Sequence, residues 1–292
     1  MNTILITGGN GFLGKNILNA LLIQGKNIHI KIIARNLNCI DSISRPKNSG
    51  CSIETIKGDI QDKEFIKKSM IDVDTLIHLA ALKDITYCEN NPVEAVRTNI
   101  EGTINLLDRF EGETFLSLSS NKAVHPNSCY GATKLLMERI ILKKAKENPD
   151  IRYIIVRSGN IIGSNGSVVD LWKHQINQNN RINITNLEMT RLFVDAHLLS
   201  EYIIQILKSG KSGTIYIPQH HSVKLDNLAK AVIELYGDNN TKINIVGMKQ
   251  GEQVHEILST DQEPVVNESQ YNSSNNPDKM TLAEMKQLLL RI

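Results

Sequence analysis

Thr7-Gly8-Gly9-Asn10-Gly11-Phe12-Leu13-Gly14 separates a short apolar run, residues 2–7, from a stretch whose apolar residues recur at helical spacing, residues 12–24. Glycines at this spacing permit a tight turn and a close approach of a dinucleotide pyrophosphate to the helix N-terminus, whose free N–H groups favour an anion. A glycine motif alone is weak evidence, but its position directly after an N-terminal strand makes this one strong. The residues predicted to form the phosphate site are Gly8, Gly11, Phe12, Leu13 and Gly14.

Apolar runs and helical patterns alternate along the following chain. The predicted strands are residues 27–34, 53–57, 75–79, 114–119, 153–157, 181–185 and 213–217, and the predicted helices are residues 63–70, 92–110, 130–147, 168–178, 196–207, 223–236 and 282–290. Alternation with strands this apolar predicts a doubly wound parallel α/β sheet of the Rossmann type. We expect residues 1–159 and 192–219 to form the cofactor-binding domain. Residues 160–191 and 220–292, including a polar extended arm at 259–277, would form a smaller discontinuous substrate lobe.

The composition is that of an ordinary soluble globular protein, with 292 residues, 41% hydrophobic and 22% charged. The formal net charge of +2 favours neither a nucleic-acid nor an anionic-membrane partner. Apolar stretches are too short to span a membrane, and because the first strand begins almost at Met1 we expect no signal peptide. The four cysteines form no CxxC pair, so we expect no zinc site, no disulfide framework and a cytoplasmic location.

The ends of the next strands predict the adenosine side of the cofactor site. Arg35 and Asn36 follow the second strand, where NAD-preferring proteins usually place an acid for the ribose 2′-hydroxyl. An arginine suits a 2′-phosphate by charge and by its forked donors, so we predict NADP; the alternative is a solvated loop arginine. The small or flanking residues predicted to contact the cofactor after the third and fourth strands are Asp59, Ile60, Leu79, Ala80 and Ala81.

Tyr130-Gly-Ala-Thr-Lys134 lies about 120 residues after the glycine turn. A Tyr and a Lys four apart share one helix face, so the ammonium can lower the pKa of the phenol and hold a nicotinamide ribose. The phenolate can then take a proton from an alcohol while the cofactor accepts hydride. The pair alone is common by chance, but after a phosphate-binding turn it predicts a dehydrogenase-type site.

Further segments resemble the extended short-chain dehydrogenase/reductase superfamily and, within it, the 5-inverting UDP-N-acetylglucosamine 4,6-dehydratases and their polysaccharide-biosynthesis relatives. They are His78-Leu-Ala-Ala-Leu-Lys83, Ser119-Ser-Asn-Lys-Ala-Val-His-Pro126, Ser158-Gly-Asn-Ile-Ile-Gly-Ser164, Gly166-Ser-Val168, Met189-Thr-Arg191, Gly251-Glu-Gln-Val-His-Glu256 and Tyr271-Asn-Ser-Ser-Asn275. The resemblance implies that Tyr130 is the base at O4 with Lys134 as its partner, and that Lys122, eight residues before Tyr130, is the acid/base at C5. It also implies that Ser120 binds O4 and that Asn99 supports Lys134.

The chain departs from that family at Asn121, where the family has an Asp that protonates the departing C6 hydroxyl. An amide has no dissociable proton near neutral pH, and loss of a general acid forfeits roughly 10²–10⁴ in rate. Either water replaces the acid in a complete dehydratase, or the enzyme never expels water. In the second case it would act on a 5,6-ene or 4-keto-6-deoxy UDP-sugar. A simple 4-reductase or 4-epimerase would not need Lys122.

The same resemblance implies a UDP-sugar substrate and a homodimer or higher homo-oligomer. The residues predicted to contact the substrate are Lys83, Asn160, Ser167, Val168, Arg191, Lys249 and Glu252. The helices that would form a dimer interface carry apolar side chains at Ile100, Ile104, Leu107, Leu135, Leu136 and Ile140. We expect structural roles for His78 and His255. His220-His221 reads as an exposed pair without a third metal ligand.

Overall fold

A computed structural model describes residues 2–24, 27–37, 50–164, 166–248, 252–260, 263–267, 272–276 and 279–290. The strands are β1 (Asn2–Thr7), β2 (Ile28–Ala34), β3 (Ser52–Lys57), β4 (Thr75–His78), β5 (Thr114–Ser120), β6 (Arg152–Ser158), β7 (Asn160–Ile161), β8 (Arg181–Ile184), β9 (Thr190–Val194), β10 (Thr214–Ile217), β11 (His221–Lys224), β12 (Lys242–Ile245) and β13 (Val265–Asn267). The α-helices are α1 (Phe12–Gln24), α2 (Lys63–Ser69), α3 (Ile85–Asn90), α4 (Pro92–Val96), α5 (Gly102–Arg109), α6 (Cys129–Glu147), α7 (Val168–Asn179), α8 (Ala196–Ser209), α9 (Leu225–Tyr236) and α10 (Leu282–Leu289).

The main sheet has eight strands in the order β13-β10-β6-β5-β4-β1-β2-β3, and every neighbouring pair is parallel. Successive side chains of a strand point to opposite faces. Accordingly Ile4 and Ile6 enter one apolar cluster and Leu5 enters another, and both clusters are buried. The strand order reverses between β1 and β4, which is where open α/β sheets bind ligands at the carboxyl ends of their strands. The prediction of a doubly wound parallel sheet is confirmed.

The smaller lobe has its own apolar core. Trp172 of α7 is 1% exposed and packs with residues of β8, β9, α9 and α10. Two small sheets support this core: β11-β9-β7, and the parallel pair β12-β8. The lobe therefore folds around its own buried side chains. Its strand β7 follows β6 of the main sheet directly, and β9 leads into α8.

Several predicted boundaries need correction. The helix expected from residue 223 starts at Leu225, because residues 221–224 form β11, antiparallel to β9. The long helix expected at 92–110 is interrupted by a π-helical turn at Arg97–Glu101. Val265–Asn267, inside the stretch assigned to the small lobe, pairs with β10 and extends the main sheet. Conversely, β9 crosses the boundary placed at residue 192 and belongs to a lobe sheet.

Among the described residues, no helix combines the length and apolar character needed to cross a membrane.

Candidate active site

The glycine turn between β1 and α1 forms one wall of a cavity at the carboxyl ends of the strands. Gly8 has a φ of +70°, and a Cβ atom there would lie 3.0 Å from the backbone nitrogen of Ala80. A Cβ atom on Gly14 would lie 2.6 Å from the Cα atom of Gly9, so α1 can start this close to the turn only with glycine. The open cradle at a helix N-terminus fits the diphosphate of a nicotinamide dinucleotide.

This cavity, about 390 Å³ in volume, brings together most residues predicted for the cofactor. Its lining includes Gly8, Gly11, Phe12, Leu13, Gly14, Arg35, Asn36, Asp59, Ile60, Leu79, Ala80 and Ala81. The side-chain amide of Asn10 donates to the carbonyl oxygen of Asn36 at 2.6 Å, which links the glycine turn to the end of β2. Lys83, predicted as a substrate residue, lines the same cavity as Arg35 and is exposed.

Tyr130 and Lys134 lie one turn apart at the start of α6, which Ser128 caps by accepting from the backbone N–H of Gly131 at 3.1 Å. Burial raises the pKa of Tyr130 to about 12, and a hydrogen bond with Ser120 opposes that rise. Burial lowers the pKa of Lys134 to about 8, against the opposing charge of Glu138. The Lys134 ammonium donates to the carbonyl oxygen of Leu118 at 2.9 Å. The pair therefore faces the carboxyl end of β5, next to the cofactor cavity.

Asn99 lies in the π-helical turn and is 1% exposed. Its side-chain oxygen accepts from the backbone N–H of Leu82 at 2.8 Å, and its amide donates to the carbonyl oxygen of Leu82 and to the hydroxyl of Thr133, each at 3.0 Å. Asn99 thus joins the chain after β4 to α6 one residue before Lys134. The contact is to the side chain of Thr133, and the support of Lys134 by Asn99 stays a prediction.

A 3₁₀ turn, Asn121–Ala123, follows β5 and places Ser120, Asn121 and Lys122 beside Tyr130. Asn121 is 5% exposed, and its side-chain oxygen accepts from the Ser120 hydroxyl at 3.2 Å. A Cβ atom on Gly131 would collide with the carbonyl oxygen of Lys122, so glycine lets this turn pack directly on α6. Asn121, at the position where the family has its C6 acid, is therefore a buried amide. Its chain neighbours Ser120 and Lys122 are the residues predicted to act at O4 and C5.

Lys122 makes an ion pair that sequence reasoning missed. Its Nζ atom lies 2.6 Å from Oε1 of Glu256, whose side chain is fully buried. Burial alone raises the pKa of Glu256, but the charges of Lys122 and Arg191 outweigh it and lower the pKa to about 2. Glu256 ends the segment 251–256 that carries part of the family resemblance. Its place in that segment was the sequence feature that could have identified it as a site residue. Its burial and its partner, 134 residues away, come only from the fold.

Two predicted substrate residues converge on the same carboxylate. The side-chain amide of Asn160 donates to Oε2 of Glu256 at 2.8 Å, and Nε of Arg191 lies 3.6 Å from Oε1. Ser167 caps α7 by accepting from the backbone N–H of Asp170 at 3.3 Å, and Val168 is the first residue of that helix. Glu252 is half-buried. Lys249 lies outside the described residues.

The histidines have structural environments. His78 is buried between the hydroxyls of Thr7 and Thr103, and burial together with the charge of Lys134 lowers its pKa to about 3. His220 is fully buried rather than exposed, which corrects the prediction. Its Nε2 atom accepts from the backbone N–H of Gly159 at 2.8 Å, and burial lowers its pKa to about 4. His255 lies 2.8 Å from the hydroxyl of Thr190.

The parallel sheet, the glycine cradle and the Tyr130–Lys134 pair define the class: this chain is an enzyme of the extended short-chain dehydrogenase/reductase type. A family model described as polysaccharide biosynthesis protein matches residues 4–276, so the chain belongs to that family.

Individual relatives agree with this assignment. The chain is 36% identical over 261 residues to a UDP-N-acetylglucosamine 4,6-dehydratase (inverting) of Campylobacter jejuni, covering 87% of this chain and 76% of that protein. It is 32% identical over 269 residues to a UDP-glucose 4-epimerase of Rickettsia bellii, covering 89% and 78%. The X-ray structure of Pen from Bacillus thuringiensis superposes with a TM-score of 0.88 at 29% identity and covers 99% of this chain and 97% of that chain.

Proposed function

We propose that this protein is an NADP-dependent enzyme that acts on a UDP-N-acetylhexosamine and performs the C5-inverting step on a 5,6-ene or 4-keto-6-deoxy UDP-GlcNAc intermediate. Such a step belongs to the biosynthesis of pseudaminic-acid-type or related surface sugars. The relatives named for 4,6-dehydration and 4-epimerisation of UDP-sugars support the substrate class. The observation that carries the proposal is the buried amide of Asn121 beside Lys122.

The residues around the sugar site would divide the proton chemistry between O4 and C5. When bound, NADP supplies a reversible hydride acceptor for the sugar. Tyr130 takes the O4 proton, assisted by Ser120, and the charge of Lys134 favours the phenolate. Lys122 handles the proton at C5. Conversion of a 5,6-ene alcohol to a 4-keto-6-deoxy sugar is an isomerisation, so no group has to leave.

Asn121 is the reason for preferring a preformed intermediate. Expulsion of the C6 hydroxyl needs a proton donor at that oxygen, and an amide cannot supply one near neutral pH. The Asn121 side-chain oxygen already accepts from Ser120. The amide can therefore orient Ser120 towards Tyr130 without taking part in an elimination.

A complete 5-inverting UDP-GlcNAc 4,6-dehydratase is the second candidate, favoured by the identity to the Campylobacter jejuni enzyme. A 4-epimerase is supported by the Rickettsia bellii relative, but neither epimerisation nor reduction at C4 requires a charged side chain at C5. The presence of Lys122 therefore argues against the 4-epimerase function.

The test is turnover of three sugars by the wild-type protein in D₂O, read by NMR. We expect UDP-GlcNAc alone to give no 4-keto-6-deoxy product at a useful rate. We expect the 5,6-ene or the 4-keto-6-deoxy UDP-sugar to give a C5-inverted product carrying deuterium at C5. Rapid dehydration of UDP-GlcNAc by the unmodified protein would contradict this proposal and show that the protein is an ordinary dehydratase.

For the cofactor we propose NADP over NAD, because Arg35 lies on the cavity lining with Asn36 and no acid follows β2. Arg35→Asp should reverse the preference by about tenfold or more. The substitution removes an arginine that can bind a 2′-phosphate and introduces a carboxylate that can bind a ribose 2′-hydroxyl. Titration of both cofactors against both proteins measures this, and equal affinities before and after the change would contradict it.

For assembly we propose at least a homodimer. Ile100 and Leu107 pack in the main core, but Leu136 of α6 is 50% exposed, and Val93 and Val96 of α4 are 62% and 42% exposed. A second copy covering this apolar face would bury these side chains. Light scattering at micromolar concentration should give a dimer mass, and a monomer mass would count against the proposal.

A further inference from the structure

The carboxylate of Glu256 is held rigidly where it meets Lys122. Oε2 accepts from the Asn160 amide at 2.8 Å and from the backbone N–H of Leu192 at 3.0 Å. The Glu256 backbone N–H donates to the Ser273 hydroxyl at 2.8 Å, and the backbone N–H of Ser273 donates back to the Glu256 carbonyl oxygen at 2.8 Å. Each polar atom of Glu256 therefore has a fixed partner, and the side chain is ready to hold Lys122 in one place.

Lys122 is the most exposed member of this group. Its side chain is 19% exposed, whereas Glu256 is 0% exposed. An ammonium has three donors, and one of them is directed at Oε1 of Glu256 at 2.6 Å. The remaining donors can face the sugar site, next to Asn121 and Ser120 at the end of β5.

The charge balance favours the protonated amine. A neutral Lys122 would leave the buried Glu256 anion with Arg191 as its remaining cation, at a longer distance of 3.6 Å. A buried carboxylate that loses a close cation is costly, so the pair favours an ammonium. An ammonium can give a proton to C5 but cannot take one until it has itself lost a proton.

We propose that Glu256 is a positioning residue that fixes Lys122 as a proton donor to the sugar. The identity of the receiving carbon, C5, rests on the proposed function. Glu256 touches neither sugar nor cofactor in this scheme. It acts through Lys122, and through Asn160 and Arg191 it ties that proton donor to the residues predicted to bind the nucleotide sugar.

The first experiment measures Lys122 directly, without substrate. The full chain is labelled by competitive acetylation from about pH 6 to about pH 11, and each lysine is quantified by mass spectrometry. In Glu256→Gln, Lys122 should be acetylated faster relative to the other lysines than in wild type, because it loses the carboxylate that holds its ammonium, and Glu256→Asp should restore part of the difference. Glu234→Gln is the matched control, because Glu234 pairs with Lys286 at the same 2.6 Å but at an exposed site.

The second experiment measures turnover of the 5,6-ene UDP-sugar against pH, because C5 only gains a proton in that reaction and a donor is all that is needed there. The alkaline limb of the Glu256→Gln profile should move to lower pH, and at about pH 9 kcat should fall roughly tenfold or more while KM changes less. Thermal unfolding of each variant verifies that folded protein is compared. A change in Tm without a shift of the pH profile would mean a structural role and would overturn the proposal.

The two experiments separate the two claims. If Lys122 labels identically in wild type and Glu256→Gln, the positioning role is wrong even when turnover is as proposed. If the labelling shifts but neither intermediate is turned over, the function proposal fails and the Glu256–Lys122 coupling stands. If Glu256→Gln does not fold, Glu256→Asp decides, because an unchanged kcat and pH profile in that shortened variant contradict the positioning role.

Discussion

One C-terminal stretch supplies carboxylates to two buried ion clusters that are built in opposite ways. Glu256 is a single anion shared by two cations, Lys122 and Arg191, and Lys122 keeps donors and some exposure. Arg157 of β6 is a single cation held by two anions, Glu138 and Glu263, and it is completely buried. We call these the Lys122 cluster and the Arg157 cluster.

The Arg157 cluster is closed. Its guanidinium donates to Glu138 at 3.0 and 2.6 Å, to Glu263 twice at 2.8 Å, and to the carbonyl oxygen of Leu258 at 2.7 Å. All five N–H groups of an arginine are thereby used. Nothing is left for a ligand, so this cluster fixes Leu258 and Glu263 against β6 of the main sheet. In the Lys122 cluster the ammonium is partly exposed and has donors besides the one directed at Glu256, so it can carry the proposed chemistry.

The largest expected effect separates chemistry from folding at the Lys122 cluster. Lys122→Ala should lower turnover of the proposed intermediates by roughly 10²–10⁴ and abolish deuterium incorporation at C5, because the proton carrier is gone. NADP binding should change little. Thermal stability should fall, because the buried Glu256 carboxylate keeps only the more distant Arg191 as a cation, so turnover is measured at a temperature where the variant is folded. Lys286→Ala, which breaks an exposed pair of the same length, is the control. Normal deuterium incorporation at C5 in Lys122→Ala would show that Lys122 is not the proton carrier, and the contrast between the two clusters would fail.

The Arg157 cluster should show the reverse behaviour. Arg157→Met leaves Glu138 buried without its cation and should reduce the free energy of unfolding by about 3–5 kcal/mol. Denaturant titration measures this, with Lys143→Met at an exposed pair of α6 as the control. At a temperature where the variant is folded, the C5 isotope pattern should remain that of wild type. A stability loss under about 1 kcal/mol would mean that the Arg157 cluster is not what holds Leu258 and Glu263 on the sheet.

A smaller effect sharpens the role of charge in the Lys122 cluster. The pKa of Glu256 in the folded protein, about 2, lies below its ordinary value of 4.5. The unfolded chain therefore binds more protons as pH falls below 4.5, and stability from this group is lost towards pH 2. As the pH is lowered, the free energy of unfolding should decrease less steeply in Glu256→Gln than in wild type. The two slopes should differ by up to about 1.4 kcal/mol per pH unit. His78 also destabilises the fold in acid, equally in both proteins. The His220 contribution differs, because the Glu256 charge that opposes the lowering of the His220 pKa by burial is absent from the variant.

The sequence predicted features that depend on local spacing. The turn at Gly8 and Gly14, the parallel sheet and the Tyr130–Lys134 pair follow from period, glycine placement and helix geometry, and the structure brings the predicted cofactor residues into one cavity. Lys122, Asn160 and Arg191 were each singled out by resemblance. Their common partner Glu256 was not, because burial of a carboxylate against a lysine 134 residues away has no local signature.

The errors have equally specific causes. His220 looked exposed because it lies in a polar stretch, yet the turn before β11 directs its ring under Gly159. The strand β11 was read as helix because Val223 continues the apolar spacing of α9, and only pairing with β9 makes residues 221–224 extended. Residues 265–267 were placed in an arm because a short edge strand among polar residues is recognisable only beside β10.

The central claim, that Asn121 leaves this enzyme without an acid for water expulsion, is tested most directly by one mixed reaction. UDP-GlcNAc and its 5,6-ene are supplied together in D₂O with NADP, and both are followed by NMR with wild-type protein. We predict that the 5,6-ene is consumed, that the product carries deuterium at C5, and that UDP-GlcNAc remains unchanged. Consumption of UDP-GlcNAc at a rate comparable to that of the 5,6-ene would contradict the account.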